Sequence, residues 1–289
     1  MGRSAPGADA WAPAGYYRLH TMCTVLIFRH VHPEWPLILA ANRDERYERP
    51  SEGPQVLVAS PRIVGGRDLS RQGTWMGVTA DGFFVGLTNQ RSLANLMRSP
   101  YSRGEVVLRA LETGSVEGVE AYLAGLDTRS FLPFNLLYGD AERLRVAYAR
   151  PDAARAHVED VPPGIHVLSN DVLDSTALSK VAHARALAER IPLGPWPELS
   201  RALVRVLSDH WLPDEGPALL PEEQDLPEVR EALRRYQALC IHTSRYGTRS
   251  SSLIALAPGR VAHYAASDLA PCQGQFRDVT PLLAPASPR

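Results

Sequence analysis

A chain of 289 residues, 45% apolar and 22% charged, carries enough apolar material for one large soluble core. Its formal net charge of −1, with no basic block, argues against nucleic acid or an anionic membrane surface as a partner, because both need clustered Lys and Arg. No apolar run reaches the ~20 residues of a membrane span, so no integral membrane segment is expected, and the odd set Cys23, Cys240 and Cys272 suits a reducing cytoplasmic compartment better than a disulfide framework.

Residues 1–21 are rich in Gly, Ala and Pro and lack the apolar stretch of a signal peptide. They read as a disordered or non-native extension ahead of a single domain over 22–275, with 276–289 as a C-terminal tail. From Met22 the pattern turns β-rich. Segments 22–28 and 36–42 predict a buried hairpin, and 74–79 with 83–88 predict a second one around Ala80-Asp81-Gly82. Short helices are expected over 103–112 and 116–123, and strands over 131–138, 143–149 and 165–169. Helical spacing follows: Leu178, Val181, Ala182, Leu187 and Ile191 share one face, as do Leu199, Leu203, Val206, Leu207 and Trp211. A Pro- and acid-rich loop over 213–227 precedes a charged helix ending near Tyr236, and strands close the chain over 238–243, 250–256 and 261–264. Strands in hairpins with a block of helices between them predict an α+β domain of mainly antiparallel sheets covered by helices, not a doubly wound parallel sheet.

Met22-Cys23 is the first candidate for chemistry. If Cys23 becomes the first residue, its α-amino group, with a pKa of about 7.7–8.0, can serve as base to its own thiol, so that one residue supplies nucleophile and base. The same cysteine also suits a small buried apolar position at the head of a strand. Ala41-Asn42-Arg43-Asp44-Glu45 places charge abruptly at the end of an apolar strand: Arg43 could hold a thiolate or a substrate carboxylate, and Asp44 could orient the amine. Strand alternation sets Arg43 and Asp44 on opposite faces unless the strand bends or bulges there. Asn89 and Asn170 sit at the ends of later strands, where an amide can donate to a tetrahedral oxyanion, and Tyr246-Gly247-Thr248 delivers Arg249 to another strand. Each of these also reads as an ordinary strand-end or turn residue. Spacing reveals no metal motif and no glycine-rich phosphate loop. His30 and His32 read as solvated loop histidines, Gly65-Gly66 as part of a loop, and His166, His183, His242 and His263 as core or surface residues.

The order of these segments resembles the NRDE family, also called the transport and Golgi organisation protein 2 family. The likeness runs through Met22-Cys23-Thr24, Asn42-Arg43-Asp44-Glu45, Arg49-Pro50-Ser51, Gly66-Arg67-Asp68 and Gly73-Thr74-Trp75-Met76-Gly77. It continues through Leu87-Thr88-Asn89, Arg103-Gly104, Phe134-Asn135-Leu136, Leu168-Ser169-Asn170 and Tyr246-Gly247-Thr248-Arg249. The resemblance implies a four-layer αββα sandwich of the N-terminal-nucleophile hydrolase type. By distant similarity to cholylglycine hydrolases and acid amidases it implies a catalytic set of Cys23, Arg43, Asp44, Asn89, Asn170 and Arg249. The chain departs from those patterns in three ways: Arg43 and Asp44 are adjacent, where the amidases separate the pair by two residues; Gln72 stands where the family often has Gly, and Ser175-Thr176-Ala177-Leu178 replaces a usual Thr-Pro-Trp stretch; and, most seriously, 21 residues precede Met22-Cys23. Two functions are implied. One is a cofactor-free hydrolase of an amide or thioester bond in a small acylated molecule. The other is a non-catalytic carrier of haem or of an acyl-CoA- or lipid-related ligand, matching the haem movement and lipid homeostasis with which family members are associated. A scaffold that has lost its activity is the third reading.

Overall fold

The computed structural model describes residues 23–90, 99, 101–215 and 227–285, with the backbone alone for 227–229. The expectations for the N-terminal extension and for most of the 213–227 loop lie outside the described residues.

One sheet is assembled from segments far apart in sequence. β1 (Thr24–Arg29) and β2 (Leu37–Arg46) form the expected hairpin, with β10 (Gly164–Leu168) on the free edge of β1. β11 (Tyr246–Ala257) joins the other side of β2, followed by β12 (Arg260–Ser267) and β13 (Arg277–Asp278), to give the order β10-β1-β2-β11-β12-β13. The second sheet is a meander: β3 (Ser51–Val58), β4 (Ile63–Asp68), β5 (Met76–Thr79), β6 (Phe84–Asn89), β7 (Phe134–Gly139), β8 (Leu144–Ala149) and β9 (His157–Asp160) pair in chain order. Every pairing in both sheets is antiparallel.

Alternation along the strands builds the layers. In β1, Val25 and Ile27 point between the two sheets and meet Val78, Phe84 and Val146. Leu26 and Phe28 point outward, against α3 (Ser179–Ala188) and α4 (Trp196–Leu207). On the far side, α1 (Arg103–Thr113) and α2 (Val116–Gly125) cover Val85, Leu136 and Ala147 of the second sheet. Three apolar cores therefore separate four layers in an αββα sandwich. Both short helices carry local signals: α1 ends on Gly114 in the left-handed region (φ 66°), and the Ser115 hydroxyl caps α2 by accepting the Gly118 N–H. A fifth helix, α5 (Pro227–Arg235), leads to a small cluster of Leu233, Tyr236, Ile241 and Tyr246.

Several expectations change. β3 and β4 occupy a stretch to which the sequence pattern assigns no element, because Gly53, Pro54 and the half-exposed face of β3 disguise its period; Gly65-Gly66, read as loop, is in strand β4. β9, a half-exposed edge strand, was likewise invisible in the pattern. The apolar run 238–243 is a turn with one isolated bridge, His242 to Gly247, rather than a strand. In α3 the buried stripe is Lys180, Val181, Ala184 and Ala188, with Ala182 exposed. The tail boundary at 276 cuts off β13 and the buried residues Val279 and Leu283, which pack into the core between the sheets. His32 is buried, stacked on Trp35 at 4.2 Å, instead of solvated.

Candidate active site at the head of the first strand

The β1–β2 register ends with Thr24 opposite Asn42, and Cys23, just ahead of it, lines the same crevice as Arg43. By the alternation of both strands, the side chains of Cys23, Ala41, Arg43 and Glu45 lie on the face between the sheets, whereas Asn42 and Asp44 face the helices. The opposite-face tension at Arg43-Asp44 is thus resolved without distortion of β2. The bulge lies in the partner strand: Thr248 pairs with Asp44 and Ser250 with Arg43, leaving Arg249 as the extra residue.

Cys23 lines a narrow crevice of about 20 Å³ between the sheets, walled by Val25, Arg43, Trp75, Met76, Phe84 and Leu87. Arg43 is held by what surrounds it. Its guanidinium lies 4.2 Å from the Trp75 ring centre, its Nη1 donates to Ser51 Oγ (3.3 Å), and its Nη2 is 3.9 Å from Glu45. Arg49 bridges Glu45 (3.5 Å) and Asp68, extending the network. Gly66 makes this packing feasible, because a Cβ there would stand 2.2 Å from the Trp75 ring. Gly73 likewise lies where a Cβ would strike the Gly104 backbone at 2.5 Å, which seats Arg103 beside this network. Burial pulls the Arg103 guanidinium down to about 10, still cationic at neutral pH.

Burial dominates the electrostatics. It pushes the Cys23 thiol up to about 11, with repulsion from Asp44 adding to it; the Asp44 backbone N–H and the Arg43 charge offset part of the rise. Asp44, 1% exposed, is pushed up to about 7 by burial, opposed by the Lys180 charge, the Thr248 hydrogen bond and Arg43. Thr248 Oγ1 donates to Asp44 Oδ1 (2.6 Å) and accepts the Ile241 N–H (2.9 Å), while Asp44 Oδ2 has no hydrogen-bond partner among the described residues.

The two strand-end asparagines meet, as strand-end asparagines of different sheets. Asn170 Nδ2 donates to the Asn89 carbonyl (2.6 Å), and Ser169 Oγ lies 3.0 Å from the Cys23 carbonyl and 3.1 Å from Asn170 Oδ1. Thr88 and Asn135 complete this junction: Thr88 Oγ1 donates to the Ser169 carbonyl (2.6 Å), and Asn135 Nδ2 reaches the Asp171 carbonyl (2.9 Å). Arg249 is placed differently. Its Nη1 donates to the Tyr47 carbonyl (2.6 Å) and reaches that of Arg46 (3.2 Å), so it braces the turn after β2. Trp75, Lys180 and Thr248 are the neighbours of Arg43 and Asp44 that the strand-end reading did not single out. Trp75 and Thr248 lie inside motifs that carried the family resemblance, whereas Lys180, buried on α3, left no such signal. The donor groups with metal-binding chemistry that converge among the described residues are His210, Cys240, His242 and Cys272, none of them part of this crevice.

Two stacked antiparallel sheets between helical layers, with a cysteine just ahead of β1, define an αββα sandwich. The N-acylethanolamine-hydrolyzing acid amidase ortholog of Caenorhabditis elegans shares this fold, with a TM-score of 0.50 and 14% sequence identity over 82% of this chain and 93% of that one. The chain belongs to the Transport and Golgi organisation 2 family, whose model matches residues 22–268. The Transport and Golgi organization protein 2 homologs of Bos taurus and Homo sapiens are 33% and 32% identical to it over 229 residues, 75% of this chain and 81% of each relative.

Proposed function

We propose that the protein, in a form that begins at Cys23, hydrolyses an amide or thioester bond of a small acylated molecule. The observation that carries this reading is the juxtaposition of Cys23 and Arg43 at an apolar crevice with the buried, unpaired Asp44 Oδ2 one residue along. In the chain with residues preceding it, Cys23 has only an amide nitrogen, and its raised thiol pKa makes it a poor nucleophile. A free α-amine changes both conditions: it accepts the thiol proton, and the resulting ammonium is the donor that Asp44 lacks. The thiolate attacks the carbonyl carbon, and Asn89 and Asn170 supply the amides that hold the oxyanion and the amine. Collapse breaks the C–N or C–S bond while the ammonium returns its proton to the leaving group. Water, deprotonated by the same amine, then cleaves the acyl-enzyme thioester and releases the acid. Arg43 orients the acyl carbonyl, and the apolar walls receive the chain behind it. We assign Arg249 a positioning role, through the turn that follows Arg43-Asp44.

The test uses protein beginning at Cys23 with a panel of acyl amides and acyl thioesters. Release of free acid is expected from that form, and none from the 289-residue chain or from Cys23→Ala. Turnover that persists unchanged in Cys23→Ala would refute the mechanism. No hydrolysis, together with a saturable Soret shift on titration with haemin, would favour the carrier instead.

A further inference from the structure

Two cysteines and two histidines that play no part in the crevice converge from three separate connectors. His210 lies just beyond α4, Cys240 and His242 lie between α5 and β11, and Cys272 lies between β12 and β13. One ligand atom from each stands within 4.8 Å of all the others. Cys240 Sγ is 3.5 Å from Cys272 Sγ and 3.5 Å from His242 Nε2, and His242 Nε2 is 3.2 Å from Cys272 Sγ. A tetrahedral zinc ion with Zn–S of about 2.3 Å and Zn–N of about 2.0–2.1 Å has S···S edges of about 3.8 Å and S···N edges of about 3.5 Å. The three measured edges fall within a few tenths of an ångström of that figure.

The surroundings match what such a centre needs outside its ligands. The Cys240 carbonyl lies 2.9 Å from His210 Nδ1, so a hydrogen bond from that nitrogen fixes the tautomer and leaves Nε2 as the metal-facing lone pair. The Cys240 N–H donates to the Asp209 carbonyl (2.9 Å), joining the His210 connector to the Cys240 connector before any ion binds. His242 is held against Gly247 by the isolated bridge. A thiolate and imidazole donor set with no carboxylate selects zinc over the hard divalent cations.

We propose that His210, Cys240, His242 and Cys272 bind one Zn²⁺ in a tetrahedral Cys₂His₂ site that clamps the three connectors together. Binding displaces both thiol protons to solvent. The clamp grips the segment whose Ile241 N–H bonds Thr248, the partner of Asp44, so the ion braces the support of the candidate active site from outside it. This inference does not depend on the hydrolase reading.

Cobalt is the optical probe. The full chain, reduced with a phosphine and stripped with chelator, is titrated with Co²⁺ and then with Zn²⁺. One equivalent is expected to give the d–d bands of a tetrahedral site together with thiolate-to-cobalt charge transfer, both abolished by one equivalent of Zn²⁺. Cys272→Ser and His242→Ala, both at exposed positions, should lower the affinity at least tenfold with an unchanged far-ultraviolet circular dichroism spectrum; Cys23→Ala should bind as the parent does. Absence of the charge-transfer band, or its survival undiminished in Cys272→Ser, would overturn the proposal. So would a failure to bind metal combined with quantitative Cys240–Cys272 disulfide formation on mild oxidation.

Discussion

Asp44 shows how one buried carboxyl sets the pH response of the fold. Its folded pKa of about 7 lies above the value of about 3.9 expected for an unfolded aspartate. Between about pH 4 and 7 the folded chain therefore holds a proton that the unfolded chain has lost, and stability falls as pH rises through that window. Three pH units correspond to on the order of 4 kcal/mol. Asp44→Asn keeps an acceptor for Thr248 and removes the buried charge. In the 289-residue chain it should be more stable than the parent at pH 8 and nearly equal to it at pH 4, measured by urea denaturation. Equal pH dependence of the two proteins would defeat the burial account. Gln72 carries a different cost: its φ of 57° lies in the left-handed region, where a residue with a Cβ gives up roughly 1–2 kcal/mol. Gln72→Gly should raise stability by about 0.5–1 kcal/mol once the extra freedom of glycine in the unfolded chain is deducted, visible as a higher denaturation midpoint. That departure from the family pattern was legible in the sequence, and the backbone supplies its meaning.

Strand alternation along β2 made the division of labour between Arg43 and Asp44 readable before any coordinates, because a period of two fixes which neighbours share a face. The partner of β2 was not readable. β11 lies some two hundred residues on, and the bulge at Arg249 arises only when Thr248 and Ser250 take consecutive partners. Pairing also explains why Arg249, assigned to the site by resemblance, instead braces the turn at Arg46 and Tyr47. Asn42 is the clearest instance of a residue whose work is between elements. Buried on the helix-facing side, it donates to the Leu207 and Leu239 carbonyls (2.9 and 2.8 Å) and accepts from Ser251 Oγ (2.6 Å). It thereby fastens the end of α4 and the segment leading to Cys240 onto β2. Asn42→Leu leaves two buried carbonyls and a hydroxyl unmatched and should cost about 2–4 kcal/mol. Asn42→Asp, which keeps the acceptor for Ser251 but loses both donors, should recover little. Equilibrium denaturation of the two variants decides it, and a loss below about 1 kcal/mol in Asn42→Leu would contradict the assignment.

Across the whole molecule, the apolar layer between the sheets is shared. Val25, Leu39 and Ile254 from one sheet meet Val64, Phe84 and Val146 from the other, so neither sheet keeps its inner face covered without its partner. Antiparallel sheets under helices were legible because the hairpins carried a buried face, and the four-layer sandwich was implied by the family resemblance; the His and Cys cluster was not legible, because its ligands come from three connectors that acquire a common location only when the sheets stack. The crevice that exposes Cys23 is a gap in this shared layer, so a molecule seated there touches both sheets at once. In Cys23→Ala protein beginning at residue 23, an acyl amide should bind without turnover and stabilise the fold by RT ln(1 + [L]/Kd), about 2.7 kcal/mol at a hundredfold excess over Kd. Trp75 lies between the sheets, whereas Trp35 and Trp196 pack in the core beneath α3 and α4, so fluorescence reports side-chain packing in both layers and far-ultraviolet circular dichroism reports the backbone of the whole fold. Both signals should move to a higher midpoint together. A ligand that shifts the fluorescence transition while leaving the circular dichroism transition in place would mean that tertiary packing and the sheets do not unfold as one unit, and that the shared core does not unite the two.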